Sequence, residues 1–251
     1  MDISDVPFLL KNVKDHFSRS QSLSEDVMYY FMHIPKTAGT SFRYSLYDYF
    51  NTTSIYPGPI EYFVQQKAQY LNWKNSLLKL ENKKRPNILI GHYDLFPLFH
   101  YKENPPKTLT FLREPVSRVK SAIMYQRQRG RRYQGLSIDQ ILDEFLELEA
   151  SIQCRALGYV PSEKTFDALK KSLERFSFIG FTEHYEQSVK LCNQIFEWNL
   201  KVLKHRNKGE YISENFNFSQ LERIKEAVSL ETDLYNYALK RFKAELEKLE
   251  F

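Results

Sequence analysis

Short apolar runs alternate with longer amphipathic segments along this chain. The runs are rich in β-branched or aromatic residues and predict four strands: Met28 to Ile34, Asn87 to Gly91, Thr108 to Leu112 and Phe176 to Gly180. Between the first two lies Ile60 to Leu80, whose apolar residues recur near helical spacing and predict one long helix. Strands alternating with helices are typical of a parallel sheet covered by helices. We therefore expect a single domain over residues 1–251 of the α/β class, with a central parallel sheet, flanking helices and a helical C-terminal portion.

Polar residues mark the expected starts of three helices. An S-x-x-Q capping box begins at Ser137, and an S-x-x-E box at Ser219 precedes the C-terminal helical stretch. A break in that stretch is expected near Ser229 to Asp233. Thr182 is expected to cap a further helix.

Composition narrows the class of protein. With 42% hydrophobic residues and 15% aromatics in 251 residues, the chain can build a core, which excludes a disordered or fibrous protein. No apolar run approaches the roughly 20 residues of a transmembrane helix, and the acidic N-terminus does not resemble a signal peptide, so we expect a cytoplasmic protein. The net charge of +5 is mild and spread out, and we expect no nucleic-acid partner. Cys154 and Cys192 are expected to be reduced packing residues.

The segment YYFMHIPKTAGTSF, from Tyr29 to Phe42, leads from an apolar strand through a turn of small and hydroxyl residues into an amphipathic helix. Backbone N–H groups of the turn and of the helix N-terminus, together with hydroxyl groups and one ammonium, are expected to converge on an anionic group. The residues of this phosphate cradle are Lys36, Thr37, Ala38, Gly39, Thr40 and Ser41.

The cradle differs from a Walker A loop, because no glycines precede Lys36. A Walker B aspartate is not recognisable either, since the later strands end in Gly91-His92 and Arg113-Glu114. We therefore expect no metal cofactor and disfavour a P-loop kinase, which is kept as a minor alternative.

A second anion site is predicted in the segment TFLREPVSRVKSA, from Thr110 to Ala122. A strand ends at Arg113, and Pro115 is suited to the first position of a helix. Arg113 and Ser121, eight residues on, can clamp an anion in the crevice where open α/β sheets bind ligands. Arg118 can instead pair with an acid and is not assigned a role.

HIPKTAGTS followed by FLREPVSRVKSA resembles the two cofactor motifs of sulfotransferases, specifically the carbohydrate group that includes heparan sulfate 2-O-sulfotransferase and its bacterial relatives. The resemblance implies a P-loop-like three-layer α/β fold, and 3′-phosphoadenosine 5′-phosphosulfate (PAPS) as the sulfuryl donor. The loop of Lys36 would hold the 5′-phosphosulfate, and Arg113 and Ser121 would hold the 3′-phosphate.

Four further segments resemble the same group, in its order along the chain. IGHY contains His92, which the resemblance makes the catalytic base, and FIGFTE and DLYNYA match a strand with its turn and a C-terminal helix. HRNKG, with Arg206, Lys208 and Gly209, resembles the basic loop that closes over the nucleotide; a solvated basic turn is the alternative.

Sulfuryl transfer is an in-line displacement, in which charge builds on the departing oxygen while the acceptor hydroxyl loses its proton. Lys36 is expected to stabilise the leaving oxygen and His92 to take the proton. Asp94, Glu114 or Glu183 could serve as the base instead, since some related enzymes use a carboxylate. His33, inside the first strand, is expected to be a core histidine.

The acceptor is expected to be a hydroxyl of a carbohydrate or glycosylated molecule. The basic stretch Gln126 to Arg132 could grip an acidic acceptor, or be a solvated loop. A catalytically silent relative that binds a nucleotide or a partner is the main alternative function. Without an N-terminal anchor, the chain is expected to be a bacterial-type cytoplasmic enzyme or an excised catalytic domain.

Overall fold

The computed structural model describes residues 27–50, 54–56, 87–92, 104–129, 133–158, 166–203 and 216–248. The described strands are β1 (Tyr29–Met32), β2 (Ile55–Tyr56), β3 (Ile88–Gly91), β4 (Lys107–Leu112) and β5 (Phe178–Phe181). The described helices are α1 (Gly39–Tyr49), α2 (Pro115–Arg129), α3 (Ile138–Glu149), α4 (Ile152–Ala156), α5 (Phe166–Leu173), α6 (Tyr185–Phe196), α7 (Phe218–Ala227) and α8 (Ser229–Glu247).

The five strands form one sheet in the order β2-β3-β1-β4-β5, and every neighbouring pair is parallel. The central strands are buried along almost their whole length, which explains why they are written as continuous apolar runs such as YYFM and ILIG. All four predicted strands are present with slightly shifted bounds. β2 was not predicted, because two residues are too few to show a period.

Helices cover both faces of the sheet. On one face, Phe31 of β1 packs against Phe42 of α1, and Phe111 of β4 packs against Tyr185 of α6. On the other face, the ring of Phe181 contacts Phe242 of α8 at 5.0 Å between centroids. Successive strand residues point to opposite faces, so these contacts define three layers. The predicted fold class is confirmed.

Two of the described helices begin with a capping box, and the sequence predicted one of the two correctly. At α3, Ser137 accepts from the amide of Gln140 while the Gln140 side chain accepts from the Ser137 amide, as predicted. The box predicted at Ser219 is wrong, because Asn217 and Gln220 form the same reciprocal pair and start α7 at Phe218. Asparagine is as good an N-cap as serine, and it comes first along the chain.

Two further boundaries differ from the predictions. The break in the C-terminal stretch lies at Val228, just before the predicted region. Thr182 is not a helix cap: its hydroxyl donates to the carbonyl of Leu112 at 3.1 Å, and residues 182–184 form a 3₁₀ turn ahead of α6. The hydroxyl thereby ties β5 to the end of β4.

Other expectations from the sequence are confirmed or lie outside the described residues. Cys154 and Cys192 are free and buried, and burial raises the pKa of both thiols. His33 is 6% exposed, as expected for a core histidine. The predicted helix Ile60 to Leu80 lies outside the described residues. Among the described helices, none has the length and apolar character needed to cross a membrane.

Candidate active site

Three neighbouring strands, β3, β1 and β4, end at the same edge of the sheet and bring three predicted site segments together. His92 follows β3, the turn of Lys36 follows β1, and Arg113 follows β4. His92 Nδ1 lies 2.8 Å from the carbonyl oxygen of His33, and Arg113 Nη1 donates to the carbonyl of Lys36 at 3.2 Å. The candidate base and both candidate anion sites therefore share one edge, the usual ligand-binding edge of parallel sheets.

The turn after β1 has an unusual backbone. Lys36 has φ 70° and Ala38 has φ 63°, so two residues with a Cβ occupy the left-handed region. Each such residue costs about 1–2 kcal/mol, and conformations of this kind concentrate at binding sites. The hydroxyl of Thr37 donates to the carbonyl of Ile34 at 2.9 Å and helps to hold the turn.

Helix α1 begins at Gly39 in a way that suits an anion. Ala38, its N-cap residue, provides no side-chain cap, and the first turn contains no acidic residue. The first amides of a helix lack intrahelical acceptors and lie at the positive end of its dipole. Thr40 and Ser41 add hydroxyl groups to the same turn. The predicted phosphate cradle thus offers hydrogen-bond donors and one cation.

The ammonium group of Lys36 lies over the ring of Tyr125 in α2, 4.2 Å from its centroid. This is cation–π distance, and it orients the charged group without neutralising it. Sequence reasoning missed Tyr125, because its proximity to Lys36 depends on how α2 packs beside the turn and has no local signal.

Gly39 is fixed by the close approach of a histidine ring. A Cβ at Gly39 would lie 1.8 Å from His33 Cδ2. The same ring stacks on Phe31 and lies 4.4 Å from the ring of His92 between centroids. The glycine therefore permits the packing of the two histidines beside the cradle.

His92 has a defined tautomer when neutral. Because a carbonyl oxygen only accepts, the short contact to His33 O places the proton on Nδ1 and the basic lone pair on Nε2. Burial lowers the pKa of His92 to about 4; the hydrogen bond to the His33 carbonyl opposes this shift, and the charge of Arg43 adds to it. Burial also holds the pKa of His33 well below its usual value. Both rings are neutral at neutral pH.

Arg43 was not singled out from the sequence. It lies in α1 and is 2% exposed, close enough to both histidines to lower their pKa values. In the sequence it directly follows Phe42, which begins the apolar stripe of α1. Its position next to the apolar stripe of α1 was the available signal in the sequence that Arg43 could be buried.

The main chain of Arg113, between β4 and α2, is held by a glutamine from α4. The amide of Arg113 donates to Gln153 Oε1 at 2.9 Å, and Gln153 Nε2 donates to the Arg113 carbonyl at 3.0 Å. With its Nη1 on the Lys36 carbonyl, Arg113 connects the two predicted anion sites.

Both glutamates considered as alternative bases have structural partners. Glu114 caps α2, accepting from the amides of Val116 and Ser117 at 2.9 and 2.7 Å. Glu183 accepts from the amide of Glu114 and from the hydroxyl of Tyr235 at 3.0 and 2.9 Å. Each carboxylate thus uses both oxygens in stabilising the structure, and His92 is the better candidate base among the described residues.

Arg118 is a buried arginine near a buried acid. It is fully buried and interacts with Glu231 of α8. Burial raises the pKa of the Glu231 carboxyl to about 7, and Arg118 opposes that shift. The charge of Arg118 is thus close enough to an acid to act on its pKa.

The remaining predicted residues are only partly described. Ser121 lies in α2, partly buried, on the helix that begins beside Arg113. Arg206, Lys208 and Gly209 lie outside the described residues, as does Asp94. The end of the basic stretch, residues 130–132, lies outside them too.

Comparison with known proteins gives matches among solved structures. No family model matches the chain. No curated protein matches it either. A sulfotransferase from Alicyclobacillus acidocaldarius is 18% identical, with 88% of this chain and 95% of that chain covered and a TM-score of 0.48.

Two other solved structures contain PAP. A mouse sulfotransferase complexed with PAP is 16% identical, with 88% and 70% covered and a TM-score of 0.40. A retinol dehydratase in complex with androsterone and inactive cofactor PAP is 12% identical, with 89% and 69% covered and a TM-score of 0.35. At such low identities and TM-scores, the function has to be inferred from this chain's own residues.

Proposed function

We propose that this protein is a sulfotransferase, which moves the sulfuryl group of PAPS to a hydroxyl group of an acceptor. One observation carries the proposal: the cationic turns after β1 and β4 meet at one sheet edge, where Arg113 Nη1 bonds to the Lys36 carbonyl. PAPS has two anionic groups on one nucleoside, a 5′-phosphosulfate and a 3′-phosphate. A pair of neighbouring anion sites matches that distribution of charge.

The residues after β1 fit the phosphosulfate. Their donor set consists of helix amides, the hydroxyls of Thr40 and Ser41 and the ammonium of Lys36, with no carboxylate in the first turn of α1. Arg113 and Ser121 would bind the 3′-phosphate, and the basic loop with Arg206, Lys208 and Gly209 would close over the nucleotide. PAPS, when bound, supplies an activated sulfuryl group on a phosphate leaving group.

Lys36 would carry the main electrostatic role. Charge develops on the oxygen that leaves sulfur, and a preoriented cation stabilises it more than mobile water does. The ring of Tyr125 holds the ammonium in one place, and the left-handed backbone of Lys36 fixes where its side chain starts. Orientation of this kind reduces the reorganisation needed during transfer.

His92 would accept the proton of the acceptor hydroxyl at Nε2. Its contact to the His33 carbonyl fixes the tautomer, and burial keeps the ring neutral, as a base requires. A pKa of about 4 makes it a weak base in the free protein. An anionic donor beside it would stabilise the imidazolium and offset burial and the charge of Arg43.

For the acceptor we propose a carbohydrate, as in the 2-O-sulfotransferase-like group that the motifs resemble. Two features support this. The IGHY segment places His92 at the end of β3, and the basic stretch Gln126 to Arg132 supplies arginines, of which Arg127 is described. A catalytically silent relative would share the donor site, so turnover must be measured separately from binding.

Binding is tested by thermal unfolding with adenosine 3′,5′-bisphosphate, the desulfated product, and separately with magnesium ATP. At 100 times its dissociation constant, a ligand stabilises the folded protein by about 2.7 kcal/mol, and we expect a rise in melting temperature of a few degrees with the bisphosphate. Stabilisation by magnesium ATP and none by the bisphosphate would instead identify a kinase.

Turnover is tested by mass spectrometry, which detects the gain of one sulfate on oligosaccharides, glycolipids and small hydroxylated metabolites incubated with PAPS. We expect Lys36→Ala and His92→Ala to fold normally and lose turnover by at least about 100-fold. Lys201→Ala, an exposed lysine paired with Asp48, is the matched control. Full activity of His92→Ala would transfer the role of base to a carboxylate such as Asp94, and bisphosphate binding without turnover on any acceptor would indicate the silent relative.

A further inference from the structure

Gln153 lies outside both predicted motifs, yet its side chain spans the main chain of Arg113. It is 1% exposed and is contributed by α4, 40 residues along the chain from Arg113. Its amide group both accepts from the Arg113 N–H and donates to the Arg113 carbonyl. These two hydrogen bonds are of the kind that a neighbouring strand would form with Arg113. The Gln153 side chain provides them at the point where β4 has ended.

Gln153 is itself held by a residue of another helix. Its backbone amide donates to Glu231 Oε1 of α8 at 2.7 Å, and Glu231 is 2% exposed. Glu231 in turn interacts with Arg118 of α2. The Glu231 carboxylate therefore helps to fix the position of Gln153, because loss of this bond would leave a buried amide unsatisfied.

We propose that Gln153 is a positioning residue, which holds Arg113 where its guanidinium can bind the 3′-phosphate of the donor. This inference rests on the proposed function. A guanidinium binds phosphate through directed hydrogen bonds, so a small displacement of the Arg113 main chain weakens them. Gln153 touches neither donor nor acceptor in this scheme and acts only through Arg113.

The experiment compares two ligands that differ only in the 3′-phosphate. Calorimetry measures the dissociation constants of adenosine 3′,5′-bisphosphate and adenosine 5′-monophosphate for the wild-type protein and for Gln153→Met, a variant of similar volume without the two bonds. We expect the bisphosphate to bind about tenfold more weakly to Gln153→Met, which corresponds to about 1.4 kcal/mol. The monophosphate should bind equally well to both proteins, within about twofold.

A double-mutant cycle separates positioning from general destabilisation. In Arg113→Ala, the bisphosphate has already lost the guanidinium, so adding Gln153→Met should weaken binding no further. Additive losses, or equal losses for both ligands, would overturn the proposal, because they would show that Gln153 supports the site without acting through Arg113. Gln153→Asn, one methylene shorter, replaces Gln153→Met if the latter does not fold, with the same pattern expected.

Gln220→Ala is the matched control. Gln220 is also a buried glutamine with side-chain bonds, to Asn217 and Asp139, but it lies at the start of α7. The Gln220→Ala substitution should lower the melting temperature without changing the ratio of the two dissociation constants. Failure of the wild-type protein to bind the bisphosphate would reject the proposed function itself, whereas wild-type binding together with unchanged binding by Gln153→Met would reject only this inference.

Discussion

The turns after β1 and β4 hold their cationic residues in two different ways. The first turn is shaped by its own backbone: Lys36 and Ala38 adopt positive φ, and α1 starts without a side-chain cap. The second turn is shaped by side chains from elsewhere, with Gln153 on Arg113 and the Glu114 carboxylate capping α2.

The difference has a physical consequence. In the turn after β1, no N-cap side chain occupies the first amides of α1, and the strain is stored where the ligand would bind. In the turn after β4, the Glu114 carboxylate already occupies the amides of Val116 and Ser117, so an anion there must be bound by side chains, as proposed for Arg113 and Ser121. We therefore expect the turn after β1 to be sensitive to substitutions that change its shape. The turn after β4 should be sensitive to substitutions that remove side-chain hydrogen bonds.

The largest expected effect is at the first turn, where Gly39→Ala would place a methyl group 1.8 Å from the ring of His33. Overpacking of a buried site costs about 1–3 kcal/mol, and we expect a loss near 3 kcal/mol in the free energy of unfolding, measured with urea. Adding His33→Ala should recover part of this loss, because the clashing ring is gone. A fully additive double variant would contradict the contact as the cause.

The second-largest expected effect is the loss of folding stability in acid, which arises from the two histidines beside the turn after β1. His33 and His92 have folded pKa values below the usual 6.5, so the unfolded chain binds more protons between that value and the lowered pKa. The stabilising contribution of the two neutral histidines is therefore fully present above about pH 6.5. It falls on acidification by up to about 1.4 kcal/mol per pH unit for each histidine. The two histidines should remove about 2 kcal/mol of stability between pH 6.5 and 5.5, measured by urea unfolding. Glu231 should return about 1 kcal/mol of this, because its raised folded pKa of about 7 gives a contribution of the opposite sign. In His33→Gln the loss should be smaller than in the wild type by about 1 kcal/mol, and an unchanged slope would assign the effect to other groups.

At the second turn, Glu114→Ala should remove a helix cap. The two amides of α2 lose their acceptor, and we expect a loss of about 1 kcal/mol in the free energy of unfolding. Glu186→Ala, an exposed acidic residue in the first turn of α6 with no such role, is the control and should change stability by less than about 0.5 kcal/mol. Equal effects at the two positions would mean that Glu114 acts only through its charge.

The smallest expected effect has the opposite sign. Ala38→Gly relieves the left-handed strain of about 1 kcal/mol or more, partly offset by the greater backbone entropy of glycine in the unfolded chain. We expect a net stabilisation of about 0.5 kcal/mol by thermal unfolding. Ala244→Gly, at an exposed position in the last turn of α8, should instead destabilise, by less than about 1 kcal/mol. A loss of stability in Ala38→Gly would show that the methyl group's packing exceeds the strain.

The same contrast explains what could be predicted from the sequence. The first turn depends on neighbours in the chain, so the strand, the turn and α1 were predicted from one segment, although the positive φ of Lys36 and Ala38 was not. That Lys36 and Arg113 lie close together follows from parallel strands ending at one edge, and the structure places them in contact.

Long-range contacts were out of reach for the same reason. Gln153 and Tyr125 show no local pattern, because their meaning depends on how α4 and α2 pack against the turns. Thr182 was misread as a cap, since its true acceptor is the Leu112 carbonyl, 70 residues away. The cap of α7 was misplaced by two residues, because Asn217 and Ser219 both suit that position locally.

The central position of β1 also bears on how the protein forms during synthesis. β1 leaves the ribosome before either neighbour, and its contacts to β3 and β4 join residues 59 and 78 positions apart, as in His33 with His92 and Met32 with Thr110. At roughly 5–20 residues per second, the nascent apolar strand waits several seconds for its partners. A chaperone that shields YYFM over that interval should raise the yield of folded protein.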